Sequence, residues 1–178
     1  MTVEVRAAVA PDADVLAALA AETFALACPP GTAPAAIEEF IAAHLRPSNF
    51  AAYLEDPHRD IRLALSDGVP AGYTMMVFGE PQDSDVASAI TVRPTAELSK
   101  VYVHGDRHGA GIAAPLMAQT LEIARASGAA AIWLGVNQQN ARAIRFYEKS
   151  GFARVGTKTF RLGPELHNDY VMEHVFRH

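Results

Sequence analysis

The chain has 178 residues, half of them hydrophobic and 20% charged, the balance of one globular domain with a sizeable core. A net charge of −5 with no cluster of Lys and Arg argues against a nucleic-acid surface. No apolar run approaches the roughly 18 residues of a membrane span, and the start MTVEVRAAV lacks the basic and apolar regions of a secretory signal. The single cysteine, Cys28, has no partner for an internal disulfide and no companions at metal-ligand spacing, so a reducing cytoplasm and no metal are expected. Cys28 itself reads as a small packed or loop residue.

In chain order, residues 3–8 alternate as a first strand. Pro11-Asp12 then opens an Ala/Leu-rich helix to about Ala27, which Pro29-Pro30-Gly31 breaks. A second helix runs over 35–44, with Ile37, Phe40 and Ile41 on one face. Pro47-Ser48-Asn49 interrupts it, and residues 50–54 make a further turn or short helix. Residues 62–65 and 71–78 form a hairpin about Ser66-Asp67-Gly68. Residues 79–92 are polar and poorly patterned and read as a loop. Residues 98–103 alternate as a half-buried strand and stop at His104-Gly105-Asp106.

Two glycines, Gly109 and Gly111, then open a helix that begins near Ala113, with Pro115 in its first turn, and ends at Ser127-Gly128. Residues 130–136 read as a buried strand with Trp133 in the core, and residues 140–150 as a short helix closed by Gly151. A last pair of strands follows over 153–161 and 170–176. No internal repeat is visible. The alternation predicts a mixed α/β sheet with helices on both faces.

A strand, a glycine turn and a helix make an anion site, because the first N–H groups of a helix lack acceptors and lie at its positive end. The bland alternative is a tight connection with no ligand. A P-loop is excluded, since Ile112-Ala113 follow Gly111 where Lys and Ser or Thr are needed. Gly109-Ala110-Gly111-Ile112-Ala113-Ala114 satisfies a dinucleotide fingerprint, but the next strand ends in Asn137 and the next acid is Glu148, too late to hold a ribose.

The stretch 103–113, with His108, Gly111 and Ala113 at its key positions, resembles the acyl-CoA loop of the GNAT family of N-acetyltransferases. His108 departs from the family's Gln or Arg. A second motif stands at the expected distance: Asn140-Ala141-Arg142-Ala143-Ile144-Arg145-Phe146-Tyr147-Glu148-Lys149-Ser150-Gly151-Phe152 resembles the family segment Asn-x-x-Ala-x-x-Phe-Tyr-x-x-x-Gly-Phe. The resemblance covers 97–176 well and the N-terminal half in outline. It implies one acyl-CoA N-acyltransferase domain over 1–178, largely antiparallel, with acceptor-side helices within 11–54. It also implies acetyl-CoA as donor and a monomer or homodimer.

The same resemblance implies site residues. The strand Val101, Tyr102 and Val103 would bond the pantetheine arm. The loop His108, Gly109, Ala110, Gly111, Ile112 and Ala113 would hold the pyrophosphate, and the side chain of Asn140 would meet the cofactor. Tyr147 carries over as the acid that protonates the leaving thiolate, against the alternative of a packed Tyr with its hydroxyl at the core's edge. Glu97 is the candidate base, suited to it if burial raises its pKa, against the alternative of a solvated strand-end carboxylate. His104 and His108 titrate in the right range but read as exposed turn residues.

Leu134-Gly135-Val136, Phe160-Arg161-Leu162-Gly163 and Asp169-Tyr170-Val171-Met172 resemble the branch that includes Pai-type polyamine N-acetyltransferases. With the negative net charge, this points to a small-molecule primary amine, a polyamine among them, as acceptor. A protein or peptide amine and a non-catalytic CoA sensor are the alternatives.

Overall fold

The structure is a computed structural model and describes residues 2–104 and 111–177. Strand β1 (Val3–Ala7) leads through a 3-10 turn (Ala10–Asp12) into α1 (Ala13–Ala27), α2 (Pro34–His44) and α3 (Pro47–Glu55). Strands β2 (Arg59–Ser66) and β3 (Val69–Phe78) form a hairpin, followed by α4 (Ser84–Ala89), β4 (Thr95–Val103), α5 (Ala113–Ala126), β5 (Ala131–Asn137), α6 (Ala141–Lys149), β6 (Ala153–Leu162) and β7 (Glu165–Val175).

The helix starts follow local chemistry. Arg6 holds Asp12 in a two-pronged ion pair at 2.7 and 3.0 Å, and Asp12 also accepts the Val9 N–H at 2.8 Å, so β1 and the entry to α1 are tied together. Both α2 and α3 begin on a proline, where the missing N–H costs no helical bond.

The seven strands lie in the order β1-β2-β3-β4-β5-β7-β6. Every neighbouring pair is antiparallel except β4 and β5. The adjacent methionines Met75 and Met76 point to opposite faces. Met75 joins Leu16, Phe24, Phe50 and Tyr73 under α1, α2 and α3 on what we call the front face. Met76 joins Leu98, Ile132, Leu134 and Met172 under α5 and α6 on the back. The fold is thus the mixed sheet with helices on both faces that the pattern predicts, and it is largely antiparallel as the family resemblance implies.

Two elements differ from the sequence reading. The stretch expected as a loop over 79–92 contains α4, whose cap is Asp83 accepting the Asp85 N–H at 2.8 Å. Six residues are too few for a 3.6-residue period to show, and the helix is held by Val86 and Ile90 packing on Trp133 and Val171. Strand β7 begins at Glu165 rather than 170, because Glu165, His167 and Asp169 are polar residues of a strand face that turns inward. At its other end Glu173, 4% exposed, accepts the Thr91 and Val92 N–H groups and the Thr91 hydroxyl, which anchors the turn entering β4.

Candidate active site

Strands β4 and β5 pair over only three positions, Thr95↔Ala131, Ala96↔Ile132 and Glu97↔Trp133. Beyond Glu97, β5 stays with β7 to its last residue while β4 stays with β3, so the sheet parts between them. A bulge at Ser99 sets which side chains face that parting. Leu98 pairs with Met76 and Lys100 with Met75, so one extra residue is inserted and the alternation shifts phase. Leu98 and Val101 therefore join the back core, and Glu97, Lys100 and Tyr102 share the front face. Tyr102 lies against Tyr73, ring centres 5.8 Å apart. Val101 and Val103 complete the part of β4 beyond the last β5 pair.

At the end of β4, the His104 imidazole meets Glu22 of α1 at 3.0 Å, so it is tied to that helix rather than being only an exposed turn residue. His108, Gly109 and Ala110 lie outside the described residues. Gly111 has φ +77, a left-handed conformation, and precedes Ile112, the fully buried cap of α5. Ala113 is the first helical residue and Pro115 the third, so the helix opens on small side chains. These residues fit an anionic diphosphate: a left-handed glycine and then alanines stand at a helix end whose first N–H groups have no acceptor within the helix.

Helix α6 carries the second motif. Asn140 is its cap, its side-chain oxygen accepting the Ala143 N–H at 3.2 Å, so that oxygen already has a structural task. The C-terminus closes with Phe152 N–H donating to the Tyr147 carbonyl at 3.0 Å and Gly151 N–H to the Glu148 carbonyl at 3.1 Å, the two bonds of a Schellman turn. Gly151 takes φ +98 there. This turn holds Tyr147, whose ring packs on Phe146 and Phe152 at 5.7 and 5.9 Å. Burial pushes its phenol up to about 12, keeping it protonated, and Tyr147 is near enough to Tyr102 to raise that phenol in turn, after burial itself.

Glu97 is the third residue of β4 rather than a solvated strand end. Half-buried, its carboxyl is raised chiefly by that burial, against the opposing pull of Lys158, Lys100 and Arg59. Sequence reasoning missed the charged residues that share its face of the sheet. Lys100 is lowered by burial. Asp169 is 8% exposed, raised by burial, and lies 3.7 Å from the Lys158 ammonium. Gly135 of β5 is exposed between buried Leu134 and Val136 and leaves room for them: a Cβ there would meet Lys158 Cε at 2.8 Å. The available signal was the two-residue period of Glu165, His167 and Asp169.

Cys28 caps α1 half-buried, its thiol raised by that burial. Among the described residues no three His, Cys, Asp or Glu side chains gather as a metal site requires, and no helix is long and apolar enough to cross a membrane.

The sequence profile of the acetyltransferase (GNAT) family matches residues 22–152. An uncharacterized N-acetyltransferase of Mycobacterium tuberculosis (strain H37Rv) is 50% identical over 161 residues, covering 90% of this chain and 96% of the relative. The crystal structure of PaiA N-acetyltransferase from Thermoplasma acidophilum in complex with coenzyme A superposes with a TM-score of 0.78 at 19% identity, covering 99% and 100% of the two chains. The ribosomal-protein-alanine N-acetyltransferase of Brucella melitensis superposes with a TM-score of 0.73 at 23% identity, covering 97% and 99%.

Proposed function

The chain belongs to the acetyltransferase (GNAT) family, and on that premise we propose that it transfers the acetyl group of acetyl-CoA to the primary amine of a small molecule. Tyr147 is the proton donor to the leaving sulfur in this reading and Glu97 the proton acceptor from the amine. The observation that carries it is the parting of β4 and β5 after Glu97↔Trp133. Among the described residues, Leu98 to Tyr102 have no pairing partner on the β5 side, and an extended amide-bearing arm can pair with their main-chain groups as an added strand would. The parting runs between the front-facing Glu97 and the helix that carries Tyr147, so donor and acceptor can meet there from opposite faces.

Acetyl-CoA supplies the thioester, whose C–S bond breaks as the C–N bond of the product forms. Val101, Tyr102 and Val103 would align the pantetheine arm along β4. Gly111, Ile112 and Ala113, with His108, Gly109 and Ala110 before them, would receive the diphosphate at the N-terminus of α5. Asn140, its oxygen committed to the cap, has its amide N–H groups left for the cofactor. Burial raises the Glu97 carboxyl and so makes it a stronger proton acceptor than an ordinary carboxylate, which suits it to take the proton of the amine. Tyr147 keeps its proton at all physiological pH values and can give it to a thiolate formed beside it. Polyamines are among the acceptors to assay, because the net charge of −5 draws cations to the molecule.

Tyr147→Phe tests the assignment, since it retains the ring's packing on Phe146 and Phe152 and removes only the proton. We expect kcat to fall by about 10²–10⁴-fold with little change in acetyl-CoA affinity. A near-normal kcat would assign the proton to water or another group.

A further inference from the structure

Four ionisable side chains from three strands converge on the front of the parting: Glu97 and Lys100 of β4, Lys158 of β6 and Asp169 of β7. Their placement has independent supports. The Ser99 bulge brings Glu97 and Lys100, three apart in sequence, to the same face. Lys158 and Asp169 are register partners whose side chains are 14% and 11% exposed. Gly135 opens the floor beneath them, its missing Cβ taking the space that the Lys158 stem and an Asp169 oxygen approach to 2.8 and 3.4 Å.

As an internal network the four are poorly satisfied. Their one ion pair, Lys158 to Asp169, is a loose 3.7 Å, and among the described residues the side chains of Lys100 and Glu97 make no salt bridge within 4.0 Å and no hydrogen bond, although each feels the other's charge. Charges withdrawn from water without close partners cost stability, and a structure that keeps them has a use for them. Burial holds Glu97 and Asp169 above, and Lys100 below, their ordinary values, against the opposing pull of the neighbouring charges.

We propose, resting on the N-acetyltransferase reading above, that the acceptor is a small amine that also carries a carboxylate: its amino group enters between Glu97 and Asp169, and its carboxylate meets Lys100. A wall that holds both anions and cations, with Arg59 of β2 beside Glu97 as a further cation, complements a molecule with one of each. A polyamine brings further ammonium groups against Lys100 and Lys158, and a peptide N-terminus brings an amide where Lys100 needs an anion. The net charge of −5 does not decide this, because charges beyond about 8 Å are screened at physiological ionic strength while the wall touches the ligand.

The test uses matched pairs, a set of free amino acids and their carboxamides, with spermidine and a short peptide, assayed for CoA release by the full chain. The wild-type kcat/KM should favour the acid over its amide by about tenfold or more, the scale of one charge-assisted hydrogen bond. Lys100→Met should bring that ratio towards one, mainly through KM for the acid, and Lys100→Arg should restore it. Equal turnover of acid and amide, preference for spermidine or the peptide, or an unchanged ratio in Lys100→Met would overturn the proposal. Thermal stabilisation by CoA is measured alongside. Wild type stabilised by CoA but showing no acid preference counts against this acceptor alone, whereas failure to bind CoA counts against the N-acetyltransferase reading itself. If Lys100→Met fails to fold, the wild-type ratio decides without it.

Discussion

Replacing Gly151 by alanine is expected to cost the fold about 2–5 kcal/mol, in two parts that a second substitution separates. The first part is backbone: Gly151 sits at φ +98 after α6, where a Cβ costs roughly 1–2 kcal/mol. The second is collision. The new Cβ would lie 2.6 Å from His174 Nδ1 and 2.7 Å from its Cε1. That imidazole is flanked by Phe152 and Phe176, ring centres at 5.5 and 5.2 Å, so it cannot swing aside without disturbing the back core. Overpacking of this kind costs about 1–3 kcal/mol.

His174→Ala removes the ring but not the backbone demand. In that background Gly151→Ala should cost only the first part, leaving a coupling of about 1–3 kcal/mol in the double-mutant cycle. Urea unfolding followed by circular dichroism supplies the four stabilities, provided the slopes agree. Because Phe152 N–H and Gly151 N–H bond the carbonyls of Tyr147 and Glu148, the single variant should also lower kcat by displacing the phenol. Equal costs in the two backgrounds would refute the collision. A cost under about 0.5 kcal/mol in the wild type would refute both parts.

Two further perturbations address the ends of the site. Gly111→Glu places a carboxylate and a Cβ on an exposed left-handed residue at the mouth of α5, so thermal stabilisation by CoA should vanish while the protein stays folded; an undiminished shift would mean the diphosphate binds elsewhere. Glu97 must be ionised to accept a proton, so kcat/KM should fall as pH drops through its raised pKa. Glu97→Gln should abolish that acid limb together with most of the rate, and a variant that retains the limb would move the base to another group.

Much of this architecture is legible in the letters. Pro34 marks one helix start, Ser127-Gly128 and Ser150-Gly151 mark two ends, and the structure puts α2, α5 and α6 within a residue or two of those signals, whereas α3 begins at Pro47, which reads in the sequence as an interruption, three residues before the short helix expected from residue 50. Capping and turn chemistry are local, decided by a residue and its neighbours within one helical turn, and so can be read in sequence. The two motifs likewise identify the family, because each packs its determinants into about a dozen consecutive residues. Element α4 escaped that reading because its stability comes from Trp133 and Val171, far along the chain.

The charged group on the front of the parting was decided by tertiary structure alone. Simple alternation along β4 places Glu97 with Ser99 and Val101, and Lys100 with Leu98. The bulge at Ser99 reverses the phase and delivers Lys100 to the face of Glu97. Nothing in the letters singles out Lys158 or joins it to Asp169, and only the β6–β7 register, together with the gap above Gly135, brings the two together. Burial, and with it the basicity of Glu97 and the retained proton of Tyr147, belongs to the packing of several elements at once. The chemistry of a side chain depends on how much water it has lost, which its place in the sequence does not determine.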